Sequence, residues 1–152
     1  MAKLSGSSTA EIEAPIDTVW KLVEDVERAP QWQGGLKHMD ALERDEEGRA
    51  IRCESETDAK VRTVKSIVRF SYQPPTLLRW SQEKGDLSSV EGTWQLEDMG
   101  PAHPGRTRAQ YWIEVDLGRV LGMLIRGPVV DVLRHMLAGA RAGELKRAIE
   151  SE

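Results

Sequence analysis

Polar side chains that share a strand face with apolar neighbours are where chemistry could be placed, and Arg62, Ser66, Tyr72 and Tyr111 are in such positions. A guanidinium polarises a carbonyl oxygen, and a hydroxyl held against the same substrate gives or takes a proton. Arg62 and Ser66 lie in the run 61–72, whose alternation favours Val64, Val68, Phe70 and Tyr72 as a buried strand face. The same parity turns Arg62 and Ser66 inward. An apolar interior does not tolerate an unpaired guanidinium. Arg62 therefore reaches a cavity mouth, pairs with a carboxylate, or meets an oxygen of a ligand.

Other chemistries lack their residues. His38, His103 and His135 are far apart, and no HxH, HExxH or CxxC pairing occurs, so no metal is expected. The one cysteine, Cys53, has no histidine near it and reads as a small inward apolar residue; there is no G-x-S-x-G motif. Gly118, Gly122 and Gly127 match neither a dinucleotide fingerprint nor a phosphate loop, so no cofactor is expected. Gly139 and Gly143, four apart, predict close packing of a helix face.

Composition narrows the partners. A net charge of −4 and a pI of about 5.5 argue against a nucleic-acid partner, which needs basic excess. The longest apolar-rich stretch, near Val120–Ile125, is far short of the ~20 residues that span a bilayer, so no integral membrane segment is expected. One cysteine cannot form an internal disulfide, and residues 1–9 carry no apolar signal-peptide core. A reducing, cytoplasmic setting follows as the expectation.

The aromatic set is unusual. Of eight aromatics, five are tryptophan (Trp20, Trp32, Trp80, Trp94 and Trp112), with one Phe and two Tyr. Trp20 falls on an apolar helix stripe and reads as core. Trp94 and Tyr111 share a side with aliphatic neighbours. Trp32 lies between Pro30 and Gly34-Gly35, where a loop would cover a mouth. Trp112 faces the polar side of its strand, which leaves a homodimer or other protein contact open. Large flat walls with few polar groups suit an apolar or aromatic ligand.

The elements that must position these residues are legible. The 152 residues make one domain's worth of chain, read as one unit over 1–152. Residues 4–13 read as a strand. Ile16, Val19, Trp20 and Val23 give an apolar stripe for a helix over 15–26, with Pro15 in its first turn. Turn signals then divide six strands near 36–44, 49–57, 61–72, 77–83, 88–97 and 106–117. Short links imply an antiparallel meander. Strand 36–44 lacks clean alternation and predicts a bulge. The register of strands 36–44 and 77–83 stays open, which leaves Trp80 unassigned. A piece over 119–126 and then a long helix through Val129, Leu133, Met136, Leu137, Ala140 and Leu145 close the chain. The order is β-α-(short α)-β6-α, an α+β class. A twisted sheet round one long helix encloses space.

The segments Ala14-Pro15-Ile16-Asp17-Thr18-Val19-Trp20 and Asp25-Val26-Glu27-Arg28-Ala29-Pro30-Gln31-Trp32 resemble the START-like (SRPBCC) superfamily, as do three later ones. These are Tyr72-Gln73-Pro74-Pro75 with Leu78-Arg79-Trp80, Gly92-Thr93-Trp94-Gln95-Leu96, and the ending Glu144-Leu145-Lys146-Arg147-Ala148-Ile149-Glu150. The best fit is to the polyketide cyclase/dehydrase or coenzyme Q-binding type, over roughly residues 8–150. The resemblance implies a helix-grip (START/Bet v 1-like) fold, with a seven-stranded curved antiparallel sheet around a long C-terminal helix. It also implies a hydrophobic cavity for lipid, isoprenoid quinone or polyketide-like ligands.

The leading expectation is a small hydrophobic or aromatic ligand held between sheet and C-terminal helix. Val64, Val68, Phe70, Trp94 and Tyr111 form its sheet wall, and Leu133, Met136 and Leu137 its helix wall. Trp32 and Leu121–Ile125 stand at its entry. The alternatives are a polyketide aromatase/cyclase using Arg62, Ser66, Tyr72 and Tyr111 for aldol closure and dehydration, and a protein-interaction module. The catalytic set converges in one pocket if the cyclase reading holds, and diverges if it does not.

Overall fold

The computed structural model describes residues 3–60 and 62–151. It contains seven strands: β1 (Lys3–Ile12), β2 (Leu36–Arg44), β3 (Ala50–Asp58), β4 (Thr63–Gln73), β5 (Leu77–Gly85), β6 (Ser89–Asp98) and β7 (Thr107–Asp116). All neighbours are antiparallel, in the order β1-β7-β6-β5-β4-β3-β2. Strands β2 to β7 form the expected meander, and β1 closes the edge beside β7.

Alternation places the side chains. Across β6 and β7, the inner-face pairs are Val90 with Val115, Trp94 with Tyr111, and Leu96 with Ala109. One row later, Trp80 of β5 lies opposite Gly92, which pairs with Ile113, which in turn pairs with Gly6 of β1. Trp80 is thereby an inner-face residue. Its indole covers the space a side chain at Gly92 would need. Strand β2 breaks register against β3 after Leu36, after Ala41 and again at Glu43, so the expected bulge is present.

Helix α1 (Ile16–Glu24) buries Val19, Trp20, Leu22 and Val23. Pro15 caps it from an extended conformation rather than entering its first turn, and Asp25 ends it. A 3-10 turn over Val26–Gln31 follows and packs against β2. At the other end of the chain, α2 (Gly118–Leu124) and α3 (Pro128–Arg134) are separated at Gly127, whose φ of 59° is left-handed. A π-turn over His135–Gly139 then leads into α4 (Arg141–Glu150). Helical backbone from 128 to 150 runs about 34 Å at 1.5 Å per residue. No described helix is long and apolar enough to cross a membrane.

The π-turn has a visible cause. In a continuous α-helix, the N–H of Ala142 would bond the carbonyl of Ala138. Instead the Ser8 hydroxyl of β1 donates to Ala138 O at 2.7 Å and accepts from Ala142 N at 3.0 Å. The hydroxyl takes both partners of one missing helical bond. Gly6 permits this approach, since a Cβ there would lie 2.9 Å from that of Ala138.

Two expectations need correction. The close approach of helix to sheet uses Gly6, not Gly139 and Gly143. The atoms nearest a Cβ at Gly139 belong to His135, one turn back in the same helical segment, and one at Gly143 would meet only Arg147. Arg62 does not turn inward either. Strand β4 begins at Thr63, and Arg62 sits exposed in the bend before it, its carbonyl accepting from Ala59 N–H. The alternation of β4 stops one residue too early to bury it.

Candidate functional site

Sheet and helices enclose a cavity of about 130 Å³. That is close to the ~150 Å³ at which an apolar void in a protein accepts benzene. The strands contribute Val64, Val68 and Phe70 from β4, Leu78 and Trp80 from β5, Val90 and Trp94 from β6, and Tyr111, Ile113 and Val115 from β7. Leu121, Ile125, Leu133, Leu137 and Arg141 close the helical side, and Val26, Ala29 and Trp32 close the end beneath the 3-10 turn.

The aromatic rings form a chain. Trp32 and Trp94 lie 6.1 Å apart, Trp94 and Tyr111 4.7 Å, Tyr111 and Trp80 5.5 Å, and Trp80 and Phe70 6.3 Å. Phe70 then stacks on Tyr72 at 6.5 Å, and Tyr72 meets Trp20 edge-on at 6.5 Å. Such offset and tilted contacts favour rings over other apolar groups.

Leu133, Leu137 and Arg141 are spaced by four. Four residues carry an α-helix about 40° past a full turn, so three such positions drift off one face. The wider π-turn between them offsets the drift and keeps all three on the cavity.

Of the residues proposed from sequence to hold a ligand, Trp32, Val64, Val68, Phe70, Trp94, Tyr111, Leu133 and Leu137 line the cavity. Met136 is not in the lining. It packs beside Gly35, where a Cβ would lie 2.9 Å from its sulfur. Gly35 has a φ of 83°, a left-handed turn that lets β2 begin there.

The four polar candidates separate. Tyr111 and Ser66 line the cavity. Ser66 Oγ donates to Gln82 Oε1 at 2.8 Å, and Gln82 Nε2 donates to Leu87 O at 2.8 Å, so that hydroxyl is engaged in a fixed chain. Tyr72 lies beyond the cavity. Its hydroxyl donates to Ala50 O, and Arg49 stacks over its ring at 4.9 Å. Arg62 is on the surface.

Two lining residues escape the sequence reading. Trp80 is one. Arg141 is the other: it is only 3% exposed. Its Nη1 donates to Gly34 O and to Glu144 Oε1, both at 2.8 Å, while Gly34 N donates to Glu144 Oε2 at 2.8 Å. The ion pair thus clamps the loop that carries Trp32. A signal is present in the chain: Arg141 stands four residues from both Leu137 and Leu145, which puts a cation beside apolar positions with an acid three positions later.

Burial sets the titration of the interior. It pushes the Cys53 thiol up to about 12 and raises the Tyr72 phenol. It raises the Tyr111 phenol too, against a smaller opposing pull from the Arg141 guanidinium. Among the described residues, no group of three His, Cys, Asp or Glu side chains is placed to hold a metal ion. Also among the described residues, two buried side-chain nitrogens have no hydrogen-bond partner: Trp32 Nε1 and Arg141 Nε. Both residues line the cavity.

Residues 12–141 match the model of a family described as polyketide cyclase / dehydrase and lipid transport. No curated protein sequence matches the chain. The fold is that of a START superfamily protein from Mycobacterium smegmatis, at 22% identity over 97% of each chain and a TM-score of 0.80. A protein from Thermus thermophilus superposes with a TM-score of 0.75 at 18% identity over 99% of each chain. The Zhui aromatase/cyclase from Streptomyces sp. R1128 does so at 0.74, with 16% identity over 97% of this chain and 94% of that one.

Proposed function

The chain belongs to the polyketide cyclase / dehydrase and lipid transport family, and from that premise we propose that it binds a small apolar, ring-bearing ligand in the cavity between sheet and helices. The observation that carries this reading is the cavity wall, built from aliphatic and aromatic side chains of β4 to β7 and of the helical end. Binding draws on apolar surface removed from water, at about 25 cal/mol per Å² before the costs of association.

Naphthalene tests the reading. Titrated into isotope-labelled protein, it shifts the methyl resonances of Leu133 and Leu137 with a saturable isotherm, and Val68→Phe, which fills the cavity, abolishes the shift. Methyl resonances that stay in place with naphthalene, and again with benzene, in excess overturn the reading. Extraction of purified protein and mass spectrometry of the extract identify any ligand carried from the cell.

An aromatase/cyclase reading has no assembled set among Arg62, Ser66, Tyr72 and Tyr111, because two of the four are outside the cavity. The resemblance to an aromatase/cyclase structure at 16% identity speaks to the fold. The proposed setting is the cytoplasm: the single thiol, Cys53, is buried and free and needs no oxidising compartment.

A further inference from the structure

We infer that Arg141 and Trp32 form a head-group subsite at one end of the cavity, built to hold a neutral carbonyl oxygen on an apolar, ring-bearing molecule. This assignment rests on the cavity reading above.

Buried donors are nearly always paired, so two orphans on one cavity wall need an explanation. Arg141 Nη1 is occupied by Gly34 O and Glu144 Oε1, at 2.8 Å each, the guanidinium also faces the Tyr111 phenol, and Nε is left without a partner. Trp32 precedes Gly34 by two residues, so the Arg141–Gly34 bond brings the indole's loop to the guanidinium. The Trp32 ring itself sits 6.1 Å from Trp94, inside the aromatic chain. Its buried N–H and that of Arg141 Nε both belong to residues of this wall.

The charge of the occupant follows from Glu144. Its carboxylate, 14% exposed, already neutralises the guanidinium at 2.8 Å. A carboxylate ligand would bring a second negative charge beside Glu144 without a second cation, and like charges in a partly buried site repel. A carbonyl oxygen has two lone pairs and no charge, so it accepts a hydrogen bond at this end of the cavity without that penalty. A hydrocarbon leaves both donors unpaired, which costs binding free energy.

Three probes of one shape test the assignment: 1-indanone, indane, and indane-1-carboxylate. Each is titrated calorimetrically into the wild type, Trp32→Phe and Arg141→Lys. The expected result is a wild-type preference for 1-indanone over indane that shrinks about three- to tenfold in Trp32→Phe, one hydrogen bond's worth. Arg141→Lys, which keeps the charge opposite Glu144 and removes Nε–H, shrinks it by a similar factor. The Trp32 indole N–H resonance, identified by its loss in Trp32→Phe, moves downfield with 1-indanone and stays in place with indane. A preference unchanged in Trp32→Phe, together with an unmoved indole resonance, overturns the subsite while leaving the cavity reading intact. Binding of none of the three probes overturns both. Tighter binding of indane-1-carboxylate than of 1-indanone overturns the neutral-oxygen assignment. Should Arg141→Lys fail to fold, Trp32→Phe and the indole resonance decide.

Discussion

Trp20 and Trp32 sit at opposite ends of one aromatic chain and resolve the same problem differently. At the Trp20 end both the indole N–H and the neighbouring phenol have partners. The indole donates to Glu24 Oε2 at 2.8 Å, the neighbouring Tyr72 hydroxyl donates to Ala50 O, and Cys53 is wholly buried among aliphatic and aromatic side chains. At the Trp32 end the indole N–H has no partner, and the adjoining Arg141 spends only part of its donor set. Both ends are apolar, with Trp20 buried and Trp32 partly buried. What separates the two indoles most sharply is whether their donors are satisfied.

That contrast is open to direct attack. The largest effect belongs to Trp20→Ala, which empties the closed end and is expected to cost about 3–5 kcal/mol in chemical denaturation. Loss of under 1 kcal/mol would show that this end is not the tightly packed one.

Next comes alkaline pH. Burial holds the Cys53 thiol up to about 12 from an ordinary 9.0, and the Tyr72 and Tyr111 phenols are raised as well. The unfolded chain releases these protons while the native one keeps them. The stability contribution is therefore whole below pH 9 and is lost as pH rises from there toward the folded values. Denaturation midpoints fall above pH 9, and the fall is shallower in Cys53→Ala; an identical slope in that variant would contradict the assignment.

A smaller and sharper test pairs the two indoles. Trp20→Phe loses a made hydrogen bond, whereas Trp32→Phe loses an unmade one. With ring truncation common to both, Trp20→Phe is expected to be about 1–2 kcal/mol the more destabilising in the absence of ligand. Equal losses would erase the distinction between the two ends. The smallest effect is that of Arg62→Ala, which touches neither end. It is expected to change stability by no more than about 0.5 kcal/mol and to leave naphthalene binding unchanged.

Much of this is readable from residue patterns. Period-two alternation puts Trp94 and Tyr111 on one face and Trp112 on the other, and the stripe of Ile16, Val19, Trp20 and Val23 places α1. Such patterns report which face is apolar, and for a sheet with one buried face that is nearly the whole fold. They fail where a single backbone event outranks parity. Arg62 has the right parity and lies outside the strand. Trp80 escapes placement because Leu77 and Leu78 obscure the alternation of β5. Met136 shares the apolar stripe of the last helix but turns to Gly35. Arg141 reads as one more charge among Arg134, Glu144, Lys146 and Arg147 until the π-turn brings it round to the cavity. No local pattern announces that turn, because its cause is Ser8.

The Ser8 contact joins positions 130 residues apart. The last helical segment is therefore seated on the first strand by a contact that spans most of the chain. Long-range contact of this kind makes folding slow. The cavity depends on this contact: Ser8 against Ala138 and Ala142 accompanies the π-turn that turns Arg141 to the wall. Partly folded chains would present the rings of Trp80, Trp94 and Tyr111 to water, so a molecule that fits between them would also act on how the chain folds.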